Sequence, residues 1–368
     1  MSGRQAVILM ALKIYTKKID GTVEVLGVKS TTSGPAAPQS SNKNQTLPDF
    51  DHTPIMNDLP AEPEKVNAPF PFIDKIAVVL SPKTAGLAAE IHSWLYQDLL
   101  NDSNDFKTVS KPLKGFKRAK LIYLSDYEER PRIDYAFTVT PSGTLAERVR
   151  IEFNPSKLGV WGLKALHGVL SSIIPGGWQL FISDGKITRL DVAVDLVGVR
   201  VSKLLMQPPT SQATTAWSNA KGKLETYQWG QAKGSHTQIY NKTAEQFKKG
   251  VVLPGPQVTR VERRLKPPAC KQLSLLAEMD NPFAGIVLTT HVPEAPAGGP
   301  EYVWPMFCDS VKVRGLDGAL KLLSKNKAKK TAFRQQFKKA TPPWWNPDAI
   351  WANWPAALSA LGITSKLD

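Results

Sequence analysis

One stretch limits what this chain can fold into more than any other: Lys186-Ile-Thr-Arg-Leu-Asp-Val-Ala-Val-Asp-Leu-Val-Gly-Val199. Apolar and polar residues alternate along it with the period of two that belongs to a β-strand. Leu190, Val192, Val194 and Leu196 make one face; Arg189, Asp191, Ala193 and Asp195 make the other. Aspartate is depleted in strands, so two of them beside an arginine on a Val-rich strand need a reason. An edge strand with a solvated outer face would be one. A carboxylate cluster on a sheet, able to hold a divalent cation, would be the other.

The rest of the pattern favours a sheet around this strand. Residues 1–28 read as two short strands, Ala6–Tyr15 and Thr22–Val28, and residues 29–69, with seven prolines and no apolar period, read as a flexible linker. Further strands are expected at Ile76–Leu80, Ala119–Ser125, Ile133–Thr140, Glu147–Asn154 and Val258–Leu265, and a hairpin at Lys223–Trp229 and His236–Asn241. Helices are expected from Leu87 to Leu100, through Leu163, Leu166, Leu170 and Ile173, and at Ser202–Met206, Thr243–Lys249 and Cys270–Met279, with a polar loop at Gln207–Ser218. The fold class is α+β: a mainly antiparallel central sheet with helices packed on it, plus a helical C-terminal region. Arg148-Val-Arg-Ile-Glu-Phe-Asn-Pro155 and Thr259-Arg-Val-Glu-Arg-Arg-Leu-Lys-Pro267 each place a Glu mid-strand and a Pro at the end, a hint of two similar halves. The expected domains are a strand pair at 1–28, the linker at 29–69, a catalytic domain at 70–300 and a basic, Trp-rich helical region at 301–368.

Charge points to a partner. The net charge is +15, yet residues 1–70 hold seven Lys/Arg against seven Asp/Glu, so the whole surplus lies beyond them. Phe307–Ala340 alone holds ten Lys/Arg against Asp309 and Asp317. A surplus localised in this way fits nucleic acid before anionic lipid, and Lys325, Lys327, Lys329 and Lys330 are the expected phosphate contacts. Trp344, Trp345, Trp351 and Trp354 read as packing anchors, since Trp351 and Trp354 share helical spacing with Leu358 and Leu361. Cys270 and Cys308 have no metal-site spacing and no apolar run reaches membrane length, so a cytoplasmic protein with reduced thiols is expected.

Three segments carry the chemistry. Beside the Asp strand stand His236, Gln238 and Tyr240 on one face of a second strand, and Arg260, Glu262 and Arg264 on one face of a third. A free tyrosine titrates near pH ~10 and is a poor nucleophile at neutral pH. Attack on a phosphodiester also builds charge on oxygens that already carry one. Carboxylates holding Mg²⁺ or Mn²⁺, with Arg189, Lys242, Arg260 and Arg264 around them, would answer both problems. Asp191 and Asp195 stand roughly 13 Å apart along an extended strand, so one of them with Glu262 is the expected ligand pair, and the other would orient a cation. Tyr227 is the fallback nucleophile; Glu245 and Glu152 are weaker candidates as ligands.

Arg189-Leu-Asp-Val-Ala-Val-Asp195, Tyr227-Gln-Trp-Gly230, Gln238-Ile-Tyr-Asn-Lys242 with Glu245, and Arg260-Val-Glu262 together resemble, in order and spacing, the replication initiation factors of the Rep_trans type. These are rolling-circle initiators of plasmids and some filamentous phages, related to conjugative relaxases and other HUH endonucleases. The resemblance covers about residues 75–325. It implies a variant of the palm-like nickase fold, with Tyr240 as nucleophile and acidic residues in place of paired histidines. It further implies an origin-specific strand nickase and ligase that leaves a 5′-phosphotyrosyl ester and a priming 3′-hydroxyl. DNA, single-stranded or hairpin at the nick site, would be the partner, with host helicase and polymerase following. The long N-terminal extension, the Trp-rich tail and His236, which could touch the scissile phosphate, depart from the family pattern. A relaxase, or a DNA-binding regulator without cleavage, are the alternatives.

Overall fold

The chain divides into two units, of which the second, Pro60–Asp368, contains every described residue. The computed structural model describes residues 69–98, 105–139, 145–207, 213–231, 233–289, 293–298, 300–323 and 326–364. The expected strand pair at 1–28 and all but the last residue of the linker lie outside these residues, as does Lys325.

The second unit is built on one ten-stranded antiparallel sheet. Its strands are β1 (Pro71–Leu80), β2 (Phe106–Thr108), β3 (Arg118–Ile122), β4 (Arg132–Val139), β5 (Leu145–Phe153), β6 (Lys186–Val197), β8 (Thr214–Ser218), β9 (Leu224–Gly230), β10 (His236–Asn241) and β11 (Val258–Leu265). A two-stranded sheet pairs β7 (Leu205–Gln207) with β12 (Val287–Thr289). The order across the large sheet is β2-β3-β4-β5-β1-β6-β11-β10-β9-β8. Counted outward from the middle, β1-β5-β4-β3-β2 and β6-β11-β10-β9-β8 repeat one topology. β5 and β11, the two strands whose sequences look alike, occupy equivalent places.

Alternation sorts the two faces of the sheet. Leu190, Val192, Val194 and Leu196 of β6 are fully buried, as are Ile76 and Val78 of β1 and Val149 and Ile151 of β5. Against this side pack α2 (Pro155–Ile173), α3 (Gly177–Asp184) and α8 (Trp354–Leu361). Chain chemistry sets where α2 begins: Asn154 accepts the Lys157 N–H at 3.0 Å and Pro155 opens the first turn. Its Leu158, Leu163, Leu166, Leu170 and Ile173 are buried. The opposite face carries charge.

Several elements differ from the expected pattern. β2, α3 and β8 appear where no element was expected, β8 inside the presumed polar loop Gln207–Ser218. Every residue of β8 is exposed, so its identity comes from pairing with β9 and not from an apolar period. Ser202–Met206 is not a helix but a 3₁₀ turn at Val201–Lys203 running into β7. Cys270–Met279 shortens to a 3₁₀ turn at Leu273–Glu278, whose buried Leu273 and Leu276 have the three-residue pitch of that form. α1 (Ala85–Asp98) and α4 (Lys242–Lys248) fall close to where periodicity puts them.

The C-terminal helices pack in two places. α5 (Val303–Leu322) and α6 (Lys327–Lys339) share a small core of Trp304, Phe307, Cys308, Val311, Phe333 and Phe337. α5 breaks at Gly315, at φ 71°, where an added Cβ would collide with the Tyr227 hydroxyl. On either side of α7 (Pro347–Trp351), tryptophans anchor the tail to the main core. Trp345 and Trp354 are buried, and their indole N–H groups donate to the carbonyls of Ile286 and Leu276 at 2.8 Å. Among the described residues no single helix is long and apolar enough to cross a membrane.

Because Trp354 is fully buried and donates its one hydrogen bond to the main core, Trp354→Ala should lower unfolding stability by about 3–5 kcal/mol, read as a fall in the urea midpoint.

Candidate active site

The three segments singled out from the sequence are neighbours: β6, β11 and β10 lie side by side. Residues opposite in register share a face, which makes rows of side chains across the sheet. One row runs Asp195–Arg260–Tyr240, the next Ala193–Glu262–Gln238, and the third Asp191–Arg264–His236. A tyrosine, carboxylates and guanidinium groups therefore converge on the charged face.

Arg260 is the centre of this cluster. Its Nε and Nη2 donate to the two carboxylate oxygens of Asp195 at 2.7 and 2.8 Å, and its Nη1 donates to Asp74 of β1 at 2.6 Å. The guanidinium also lies over the Phe72 ring, 4.9 Å from its centroid, and the residue is only 4% exposed. Asp191, 1% exposed, accepts Nε donors from both Arg189 (3.0 Å) and Arg264 (3.2 Å). Arg264 also stands 3.6 Å from Glu262, and Arg189 reaches 3.8 Å from Glu152 of β5.

Tyr240 points into this network. Its hydroxyl donates to a Glu262 carboxylate oxygen at 3.2 Å. Burial raises the Glu262 carboxyl to about 7, with the Asp74 and Asp191 carboxylates adding to the rise against Arg264 and Arg260. Burial likewise pushes the Tyr240 phenol well above its ordinary value, Arg260 opposing and Glu262 adding. Lys242, at the start of α4, sits over the Tyr240 ring at 5.9 Å and donates to Glu245 at 2.7 Å. Burial, then the nearby Arg260 charge, lower its ammonium. Asn241 fixes the strand-to-helix junction by accepting the Ala244 N–H at 3.0 Å. The chain thus turns immediately after the tyrosine.

The expected cation site is not assembled. Asp195 is turned to Arg260, Asp191 is held by two arginines, and only Glu262 faces the phenol. Among the described residues no group of three His, Cys, Asp or Glu side chains is placed to hold a metal ion. The donors that would coordinate Mg²⁺ or Mn²⁺ already have guanidinium partners, so the residues as placed do not fit a hard divalent cation.

Other expectations sort themselves by position. His236 is buried, with Nδ1 against the carbonyls of Gly234 (3.2 Å) and Gln231 (3.3 Å), a strand histidine satisfied by its own turn. Tyr227 is buried on the opposite, apolar face, away from the carboxylates. Glu245 belongs to α4, where Lys242 and Lys249 engage it. On α6, Lys327 is exposed, while Lys329 and Lys330 are half-buried and Lys329 lies over the Phe333 ring. Sequence reasoning missed Asp74, which follows Ile73 on β1 and anchors Arg260. It also missed Asp134 of β4, which holds Arg132 and Arg150 in the other half of the sheet. Asp74 stands outside any alternating pattern, whereas Asp134 lies between Ile133 and Tyr135 in one, but alternation does not say which cations it meets.

No family model matches the chain, and no curated protein is significantly similar to it. Among solved structures, the rolling circle replication initiator protein from Geobacillus stearothermophilus is similar at 12% identity and a TM-score of 0.35, over 66% of this chain and 97% of that one. The di-domain ARO/CYC StfQ from the steffimycin biosynthetic pathway is similar at 11% identity and a TM-score of 0.14, over 73% of this chain and 97% of that one. Both TM-scores are low, and neither likeness bears on the reading of the site.

The Glu262 carboxyl titrates near 7 in the fold against 4.5 ordinarily, so between those values the native state holds the extra proton. Its contribution to stability is complete below about pH 4.5 and is lost as pH rises through about 7. Glu262→Gln, which copies the protonated form, should therefore gain on the order of 2 kcal/mol over wild type at about pH 8. That gain should shrink toward about pH 5 in urea unfolding.

Proposed function

We propose that the chain is a DNA strand nickase in which Tyr240 attacks a backbone phosphate. The observation that carries this reading is the Tyr240 hydroxyl donating to Glu262 on a face lined by Arg189, Lys242, Arg260 and Arg264. A half-buried phenol needs a base to attack at neutral pH, and a carboxylate with a pKa near 7 in direct hydrogen-bond contact can serve as one. The phenolic oxygen bonds to phosphorus while its proton passes to Glu262. The bond from phosphorus to the 3′-oxygen breaks, and that oxygen leaves with a proton from solvent. The 5′-phosphate stays on Tyr240, so the ester keeps the bond for rejoining.

The half-exposed Arg264 and Arg189 are the cations best placed to meet a phosphate; Arg260 is sealed and instead fixes the carboxylates around the phenol. The basic helix α6 would add phosphate contacts, and its share of the affinity should fall steeply with salt. Origin-specific initiation of rolling-circle replication is the role the sequence resemblance supports for such an enzyme. No step here runs through Mg²⁺ or Mn²⁺. Nicking in EDTA, compared with nicking after either ion is added, tests whether the reaction needs a metal.

Tyr240→Phe should reduce nicking of supercoiled plasmid carrying the DNA around the chain's own gene by on the order of 10³-fold or more. DNA binding by that variant should match wild type. A phenylalanine variant that nicks normally would remove Tyr240 from the chemistry.

A further inference from the structure

The row that contains the phenol continues to the edge of the sheet. Tyr240 is opposite Thr226 of β9, and Thr226 is opposite Trp217 of β8, so Trp217 and Tyr240 share a face two strands apart. That separation is about 10 Å. The adjoining row carries Thr215, Gln228 and Gln238 up to Glu262. The other aromatic side chains of this hairpin, Tyr227 and Trp229, are buried on the far side of the sheet, whereas Trp217 is 47% exposed.

Composition changes sharply along these rows. From β6 through β11 to Tyr240 the face is ionic and its charges are largely paired. From Tyr240 out to β8 it presents one indole, two amides and two hydroxyls. Phosphates are held by cations, but bases are held by flat rings and by side chains that both donate and accept. An exposed tryptophan on an open edge strand does nothing for the core, which lies on the other face. The surroundings attract a polyanion: residues 213–266 hold ten Lys/Arg against Glu225, Glu245 and Glu262.

We propose that β8, β9 and β10 form a single-stranded DNA subsite in which Trp217 stacks on the base of a nucleotide beside the attacked phosphate, with Gln228 and Gln238 meeting base edges. This rests on the reading of Tyr240 as the group that attacks DNA, and it extends that reading by naming how the strand is held. The same placement explains why the substrate has to be unpaired: a stacked base must leave its duplex before it can reach the indole. Trp217 positions the strand and takes no part in bond making.

The test uses the full chain and fluorescein-labelled dT12, with fluorescence anisotropy as the readout. Trp217→Ala should weaken binding roughly 5- to 150-fold, and Trp217→Phe should recover most of the loss. A set of dT12 oligomers with one abasic site moved along the strand adds the decisive arm. Wild type should lose affinity at one position, and in Trp217→Ala that position should cost nothing further. Equal binding by Trp217→Ala and wild type would overturn the platform while leaving the nickase reading intact. So would an abasic penalty that survives in Trp217→Ala, which would make the tryptophan merely structural. Failure of wild type itself to bind dT12 would overturn the platform and the nickase reading together.

Discussion

The charged face of this sheet depends on one buried cation. Arg260 spans Asp195 on β6 and Asp74 on β1 from its own place on β11, so a single guanidinium ties three strands across the middle of the sheet. Its geometry is the bidentate fork that carboxylates match best. Losing either side of such a pair leaves a buried charge uncompensated, a cost of about 3–5 kcal/mol. The residue two places on is Glu262, and the residue opposite is Tyr240. What holds the strands therefore also sets the distance between phenol and base. The stability of the face and the geometry of the site are one arrangement.

The same arrangement explains the unusual proton affinities. Asp74, Asp191 and Glu262 crowd together, and the arginines satisfy the first two more fully than the third. Glu262 is left as the carboxylate that binds a proton near neutrality, and the Tyr240 hydroxyl is the donor it meets. The other half of the sheet offers a comparison. Arg150 and Glu152 on β5 stand where Arg260 and Glu262 stand on β11. The position of Tyr240 is filled there by Asp134, which takes up Arg132 and Arg150. That half keeps the ionic scaffold without a phenol.

Much of this was legible in the sequence because it follows from period two. The alternation in β6, β10 and β11 places Asp191, Tyr240 and Glu262 on polar faces before any fold is known, and the likeness of β5 to β11 anticipates the repeated topology. What alternation does not carry is partnership. Nothing local says that Asp195 faces an arginine rather than a metal, since a carboxylate reads the same beside either cation. Asp74 stands before β1 resumes its apolar run, and β8 has no buried face at all, so both the anchor of Arg260 and the strand bearing Trp217 become visible only through pairing. The tail tryptophans, by contrast, were readable as packing residues because helical spacing with Leu358 and Leu361 already fixed their direction.

The most direct test of the account is to trap the protein on nicked DNA, digest it and locate the nucleotide adduct by mass spectrometry. The account predicts a phosphodiester on the peptide that contains Tyr240. An adduct on Tyr227 or any other residue, or cleaved DNA with no covalent protein species, would contradict it.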